Sequence, residues 1–219
     1  MNAAPTRPLA CDIRRVGSTA LLAELGSLDE VLALRAALQQ RPPCGVGELV
    51  AAARTLLVTY DPAATEHEKL AREVRRRAEE LSGAPPRAVP GHTELIIPVR
   101  YDGPDLDDVA ERTGLSVAEV IARHTAPRYT VAFAGFAPGF GYLHGTDPAL
   151  RLPRRAEPRT EVPAGAVAVA SEFTGVYPRP SPGGWQLLGT TSLTLWDERL
   201  DPPALLVPGR TVRLRAVSR

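Results

Sequence analysis

Between residues 11 and 81 the apolar positions switch between the two-residue period of a strand and the longer period of a helix. Residues 11–16 and 19–25 alternate as strands. Ser27-Leu28-Asp29-Glu30 then opens a helix with a capping box, in which Ser27 accepts from the Glu30 backbone and the Glu30 side chain reaches back. Leu28, Val31, Leu32 and Leu38 keep helical spacing through Gln40, and Arg41-Pro42-Pro43 ends the run. Residues 46–52 and 54–60 read as a strand pair closed by Asp61-Pro62. A second helix starts near Thr65, carries Leu70, Val74, Ala78 and Leu81, and stops at Gly83. The order ββαββα predicts two helices on one face of an antiparallel sheet, an α+β two-layer unit spanning residues 1–83.

A linker at residues 84–92 follows, rich in proline and glycine, and the pattern then changes. Residues 93–99 form a strand. Short helices are expected over 106–113 and 117–124, the second capped by Ser116 with Glu119 three places on. From Tyr129 onward only strands are expected, at 129–133, 166–170, 185–188, 193–196, 204–207 and 211–217. Short strands separated by turns such as Pro182-Gly183 and Pro208-Gly209 favour a closed barrel or sandwich over residues 93–219.

Composition narrows the function classes. Of 219 residues, 44% are hydrophobic and 23% charged, the balance of a globular chain. Twenty-six basic against 25 acidic residues leave a net charge of +1, which argues against a nucleic-acid binder. The absence of a long apolar run or an apolar leader predicts no membrane association and a cytoplasmic location. Cys11 and Cys44 are read as buried, inert thiols.

The densest segment is Phe133-Ala134-Gly135-Phe136-Ala137-Pro138-Gly139-Phe140-Gly141-Tyr142, which holds three of the four phenylalanines. Glycine lets a backbone approach a ligand and turn N–H groups toward it, while aromatic rings build an apolar wall. A bulged barrel corner with core aromatics would explain the same string. Pro153-Arg154-Arg155-Ala156-Glu157-Pro158-Arg159 could hold a carboxylate or phosphate on paired guanidinium forks, or could be a solvated loop balanced by Glu157 and Glu161. Pro182-Gly183-Gly184-Trp185-Gln186 is more simply a hairpin turn before a buried tryptophan. His124, at a helix C-terminus, is favoured there by the dipole when protonated, which points to a structural role somewhat ahead of a catalytic one. No phosphate loop, dinucleotide fingerprint or serine elbow occurs, and the histidines never reach metal-ligand spacing. The chain reads as half of a site.

Taken in order, the glycine-aromatic string, the arginine segment, Val162-Pro163-Ala164-Gly165, Thr174-Gly175-Val176-Tyr177-Pro178 and Pro182-Gly183-Gly184-Trp185-Gln186-Leu187-Leu188-Gly189 resemble the B subunit of the bacterial ATP-dependent 5-oxoprolinases. That family is also described as allophanate hydrolase subunit 1 and as the KipI-type kinase inhibitors. The resemblance is dense from Glu94 to Trp196 and departs at Ala166, where a small hydroxyl residue is usual. It implies a ferredoxin-like N-terminal domain and a cyclophilin-like β-barrel of the carboxyltransferase type. It implies work with two partners, a larger C subunit of the KipA type and an A subunit of the LamB/YcsF type, to open 5-oxo-L-proline to glutamate. ATP with Mg would be used by the assembled complex, and no cofactor is expected on this chain alone. A kinase-inhibiting module, or a component of an allophanate- or urea-metabolising hydrolase, would carry the same motifs. By resemblance the catalytic residues are His124, Tyr129, Arg154, Arg155 and Glu157. Gly135, Phe136, Pro138, Gly139, Phe140, Tyr142, Arg159, Pro182, Gly183, Gly184 and Gln186 would bind substrate, with no metal.

Overall fold

The computed structural model describes residues 11–81 and 94–218; the expected linker at 84–92 and the stop at Gly83 lie outside them. The chain divides into two compact units, with residues 11–81 in the first and 94–218 in the second.

The first unit is a four-stranded antiparallel sheet built from β1 (Asp12–Val16), β2 (Ala20–Glu24), β3 (Val46–Ala51) and β4 (Thr55–Tyr60), in the order β1-β2-β4-β3. Helices α1 (Leu28–Gln40) and α2 (His67–Glu80) bury Val31, Leu34, Leu38, Leu70 and Val74 together with Leu21, Leu56 and Val58 of the strands. At the start of α1, Ser27 accepts from the Glu30 N–H at 3.3 Å, but the Glu30 carboxylate takes the Gly26 N–H at 2.8 Å. The expected capping box therefore closes one residue early.

The strands of the second unit are β5 (Leu95–Val99), β6 (Tyr129–Ala134), β7 (Gly141–His144), β8 (Arg159–Val162), β9 (Ala166–Ala170), β10 (Phe173–Val176), β11 (Ser181–Gly183), β12 (Gln186–Thr190) and β13 (Thr211–Ala216). Seven of them form a mixed sheet in the order β12-β9-β10-β7-β6-β13-β5, in which only β13 and β5 run parallel. Arg100 and Thr190, just past β5 and at the end of β12, exchange backbone hydrogen bonds of 2.8 Å, so the sheet nearly closes into a barrel. Its interior is filled by Ile97, Val99, Tyr129, Val131, Leu143, Val167, Val176, Leu206 and Val212. A second cluster joins α3 (Leu106–Thr113) and α4 (Val117–Thr125) to Val169 and Leu188 of the barrel. The Ser116–Glu119 capping box on α4 forms reciprocally.

Several expectations change here. Residues 193–196 and 204–207 are not strands; they meet in one bridge, Trp196 to Ala204. Leu195 and Leu206 are buried, so their apolar pattern reports core contact by a loop rather than a ladder. Gly183-Gly184 is not a hairpin turn, because β11 pairs with β8 while β12 pairs with β9. Strands β7, β8, β10 and β11 have only three or four residues, and three of them contain glycine, which hides them from a two-residue period. Beyond Tyr129 there is also a 3-10 turn at Pro148–Leu150, and neither cysteine is buried as expected, Cys11 being half-buried and Cys44 exposed.

Candidate functional site

Three stretches far apart in sequence converge on one cleft of about 280 Å³. The loop between β6 and β7 contributes Phe136 and Phe140, the arm before β8 contributes Arg154, Arg155 and Pro158, and the chain from β10 to β12 contributes Tyr177, Pro182, Gly183, Gly184 and Trp185. Tyr142 completes the lining. The volume is at the small end for ligand pockets and suits a single-ring metabolite.

Phe140 is the centre of the wall. Its ring lies 5.3 Å from Phe136, 5.1 Å from Tyr142, 5.5 Å from Tyr177 and 5.5 Å from Trp185, edge to face in every case. Such pairs contribute about 0.5–1.5 kcal/mol each beyond their buried area. Phe133 and Phe173 extend the cluster through Tyr142, so all four phenylalanines belong to it. A Cβ at Gly183 would stand 2.3 Å from the Tyr177 hydroxyl, which is why glycine brings this strand against the ring. Burial pushes the Tyr177 hydroxyl up from its ordinary pKa. Phe136 is different. It is 57% exposed and holds φ of 69°, a left-handed conformation that costs a non-glycine residue about 1–3 kcal/mol.

Three of the loop's amide donors are spent within the loop itself. The N–H groups of Gly135, Ala137 and Phe140 are bonded to carbonyls of Phe140, Gly135 and Ala137 within the same loop. Gly135, Pro138 and Gly139 shape it without lining the cleft.

The three arginines separate. Arg155 Nη1 donates to Asp105 Oδ1 at 3.0 Å and Arg159 Nη2 to the same oxygen at 2.7 Å. Neither Glu157 nor Glu161 pairs with Arg154 or Arg155 among the described residues. Arg154 is exposed at the cleft and has no ion pair among the described residues. Glu157 and Gln186 lie with Arg112 and Arg155 around a neighbouring depression, where buried Gln186 Nε2 donates to the Pro153 carbonyl at 3.0 Å.

His124 and Tyr129 sit elsewhere, in the barrel core. His124 is fully buried; its Nδ1 meets the Tyr101 hydroxyl at 2.8 Å and its Nε2 meets Thr174 Oγ1 at 3.1 Å. Thr174 continues to Thr146 at 3.0 Å, and the Tyr129 hydroxyl donates to the His124 carbonyl at 2.8 Å. Desolvation pushes the imidazole pKa down to about 3, so the ring is neutral and the helix terminus has no imidazolium to favour. Asp105 and Tyr177 are not among the expected site residues. Aspartate before a helix reads as an ordinary N-cap, and only the fold reveals where its carboxylate turns. Among the described residues no group of three or more His, Cys, Asp or Glu could hold a metal ion.

Residues 11–206 match the family model of the carboxyltransferase domain, subdomain C and D. The 5-oxoprolinase B subunit of Bacillus subtilis is 35% identical over 94% of this chain and 92% of its own length. The chain belongs to the 5-oxoprolinase B-subunit family of carboxyltransferase domains. The corresponding 5-oxoprolinase chain of Escherichia coli O157:H7 is 52% identical over 54% of this chain, a match that spans 56% of that relative. Among solved structures, TTHA0988 superposes with a TM-score of 0.72 at 40% identity, covering 95% of this chain and 41% of that one. The urea amidolyase of K. lactis superposes at 0.73 with 18% identity over 98% of this chain and 15% of that one, a likeness of fold alone. Of the strings by which the sequence resembles this family, the glycine-aromatic loop, the arginine segment, Tyr177 and residues 182–185 line the aromatic cleft, whereas residues 162–165 do not.

Proposed function

We propose that this chain supplies the substrate-carboxylate half of the active site in an ATP-dependent 5-oxoprolinase, working with a KipA-type partner and a LamB/YcsF-type partner. The observation that carries the reading is Arg154, a guanidinium without an ion pair among the described residues, at the mouth of an aromatic cleft of single-ring size. 5-Oxoproline is a five-membered lactam bearing one carboxylate. Its ring would lie against Phe140, Tyr177 and Trp185, and its carboxylate would meet the Arg154 fork. The carboxylate sits on the ring carbon next to the amide nitrogen, so anchoring it fixes the orientation of the carbonyl on the nitrogen's other side, the one that must react. Among the described residues no nucleophile activated by a base lines the cleft, and the N–H groups of Gly135, Ala137 and Phe140 are spent within their own loop. The attack on the lactam and the use of ATP with Mg are therefore assigned to the partners. The four-stranded antiparallel sheet in the order β1-β2-β4-β3 with its two helices supports reading the first unit as ferredoxin-like, and the nearly closed sheet supports reading the second as a cyclophilin-like barrel.

Reconstitution tests this directly. The chain alone should release no glutamate from 5-oxoproline and ATP, and the chain co-purified with both partners should release it. A stable contact with the KipA-type partner would bury on the order of 1,200–2,000 Å². Separate elution of the two at micromolar concentration, or turnover by this chain alone, would refute the assignment.

A further inference from the structure

We propose that Asp105 is a positioning residue for this site, acting through Arg155; the proposal rests on the reading of the cleft just given. Asp105 stands at the N-cap of α3, yet its side chain makes no capping bond there. Its carboxylate, 4% exposed, turns to the barrel instead. Oδ1 takes both Arg155 and Arg159, and Oδ2 accepts from the Leu187 N–H at 2.7 Å. The Asp105 N–H donates to the Leu187 carbonyl at 3.1 Å, so one residue grips β12 by both backbone groups. Gly103 permits the approach, since a Cβ there would lie 2.3 Å from the Leu187 carbonyl oxygen.

The far ends of these contacts are walls of the cleft. Arg155 lines it, and the Arg155 N–H donates to the Gly184 carbonyl at 2.7 Å. Strand β12, held at Leu187, starts directly after Trp185. A carboxylate that could cap a helix is diverted to the junction of two cleft walls, a local rule broken next to a site. The consequence is a division of labour. Asp105 engages the Arg155 guanidinium through Nη1, steadies the arm whose backbone bonds Gly184, and leaves Arg154 to face a ligand carboxylate. Replacing Asp105 would release Arg155 and loosen the arm on which Arg154 is mounted.

The test uses the assembled complex, with 5-oxoproline and ATP as substrates. D105N should raise KM for 5-oxoproline about tenfold with kcat within about twofold, as expected when binding rather than chemistry is lost. Because Asp105 acts through Arg155, D105N combined with R155M should have the KM of R155M alone. A melting curve runs in parallel. If D105N lowers Tm and the active fraction but leaves KM unchanged, or if the two substitutions add in full, the proposal is overturned. Where D105N does not fold, R155M carries the test, since it leaves Asp105 bonded to Arg159 and Leu187. Its KM should rise at unchanged Tm, and an unchanged KM overturns the proposal. R154A separates this from the underlying reading: normal kinetics in R154A sink the substrate assignment, whereas impaired R154A with normal D105N sinks only the role of Asp105.

Discussion

A guanidinium already bonded through one Nη to a buried carboxylate has less to offer a ligand than its exposed neighbour, and this distinguishes Arg154 from Arg155. Both follow Pro153 in a sequence that gives no reason to prefer one. The difference is Asp105, some fifty positions away in sequence and in contact with Arg155. Phe136 shows the opposite imbalance, exposed and strained where a glycine would be comfortable. Its ring edges against Phe140 and Tyr177, so it completes the wall at a backbone cost. F136G relieves the left-handed strain and adds unfolded-state entropy, two effects that oppose each other. Its stability should stay within about 1 kcal/mol of the parent while KM for 5-oxoproline rises several-fold. Thermal melting and steady-state kinetics together check this, and a large fall in Tm with unchanged KM would contradict it.

At the scale of elements, α4 is tied to the barrel by a polar chain. His124 joins Tyr101 to Thr174 of β10, and Thr174 joins Thr146. The unfolded chain protonates this histidine below about pH 6.5, whereas the folded protein keeps it neutral down to about 3. Between those values the unfolded state holds the extra proton, so stability falls as pH falls, by about 1.4 kcal/mol per unit at full slope. Urea midpoints measured from pH 7 to pH 4.5 should decline more steeply in the parent than in H124Q. Equal slopes would show that the imidazole is not the group held neutral. Helices and long strands were legible in the sequence because their apolar stripes report burial directly, as at Leu70, Val74 and Ala78 of α2. The short strands β8, β10 and β11 were not, because a strand of three or four residues has too few alternations to register, and glycine in β10 and β11 removes one more. Residues 193–196 failed for the converse reason: leucines pack a core without joining a ladder.

For the whole molecule, the two units have separate cores, and the cleft belongs to the barrel unit alone. The motif strings could be picked out in sequence because glycine, proline and aromatics crowd there without serving a strand period. That Phe136, Tyr177 and Trp185 would share one wall could not be read from spacing, since it follows from strand order. Nor could the removal of His124 and Tyr129 to the core, which follows from α4 packing on the sheet. Among the described residues the cleft presents an exposed guanidinium and no nucleophile paired with a base, which is what the proposed half-site requires. The most direct measurement is kcat/KM for ATP-dependent glutamate formation from 5-oxoproline by the assembled complex carrying R154A. Loss of a charge-assisted hydrogen bond of about 1.5–3 kcal/mol predicts a fall of about tenfold to a hundredfold, with R154K restoring only part because an ammonium lacks the planar fork. Wild-type kcat/KM in a correctly assembled R154A complex would contradict the account.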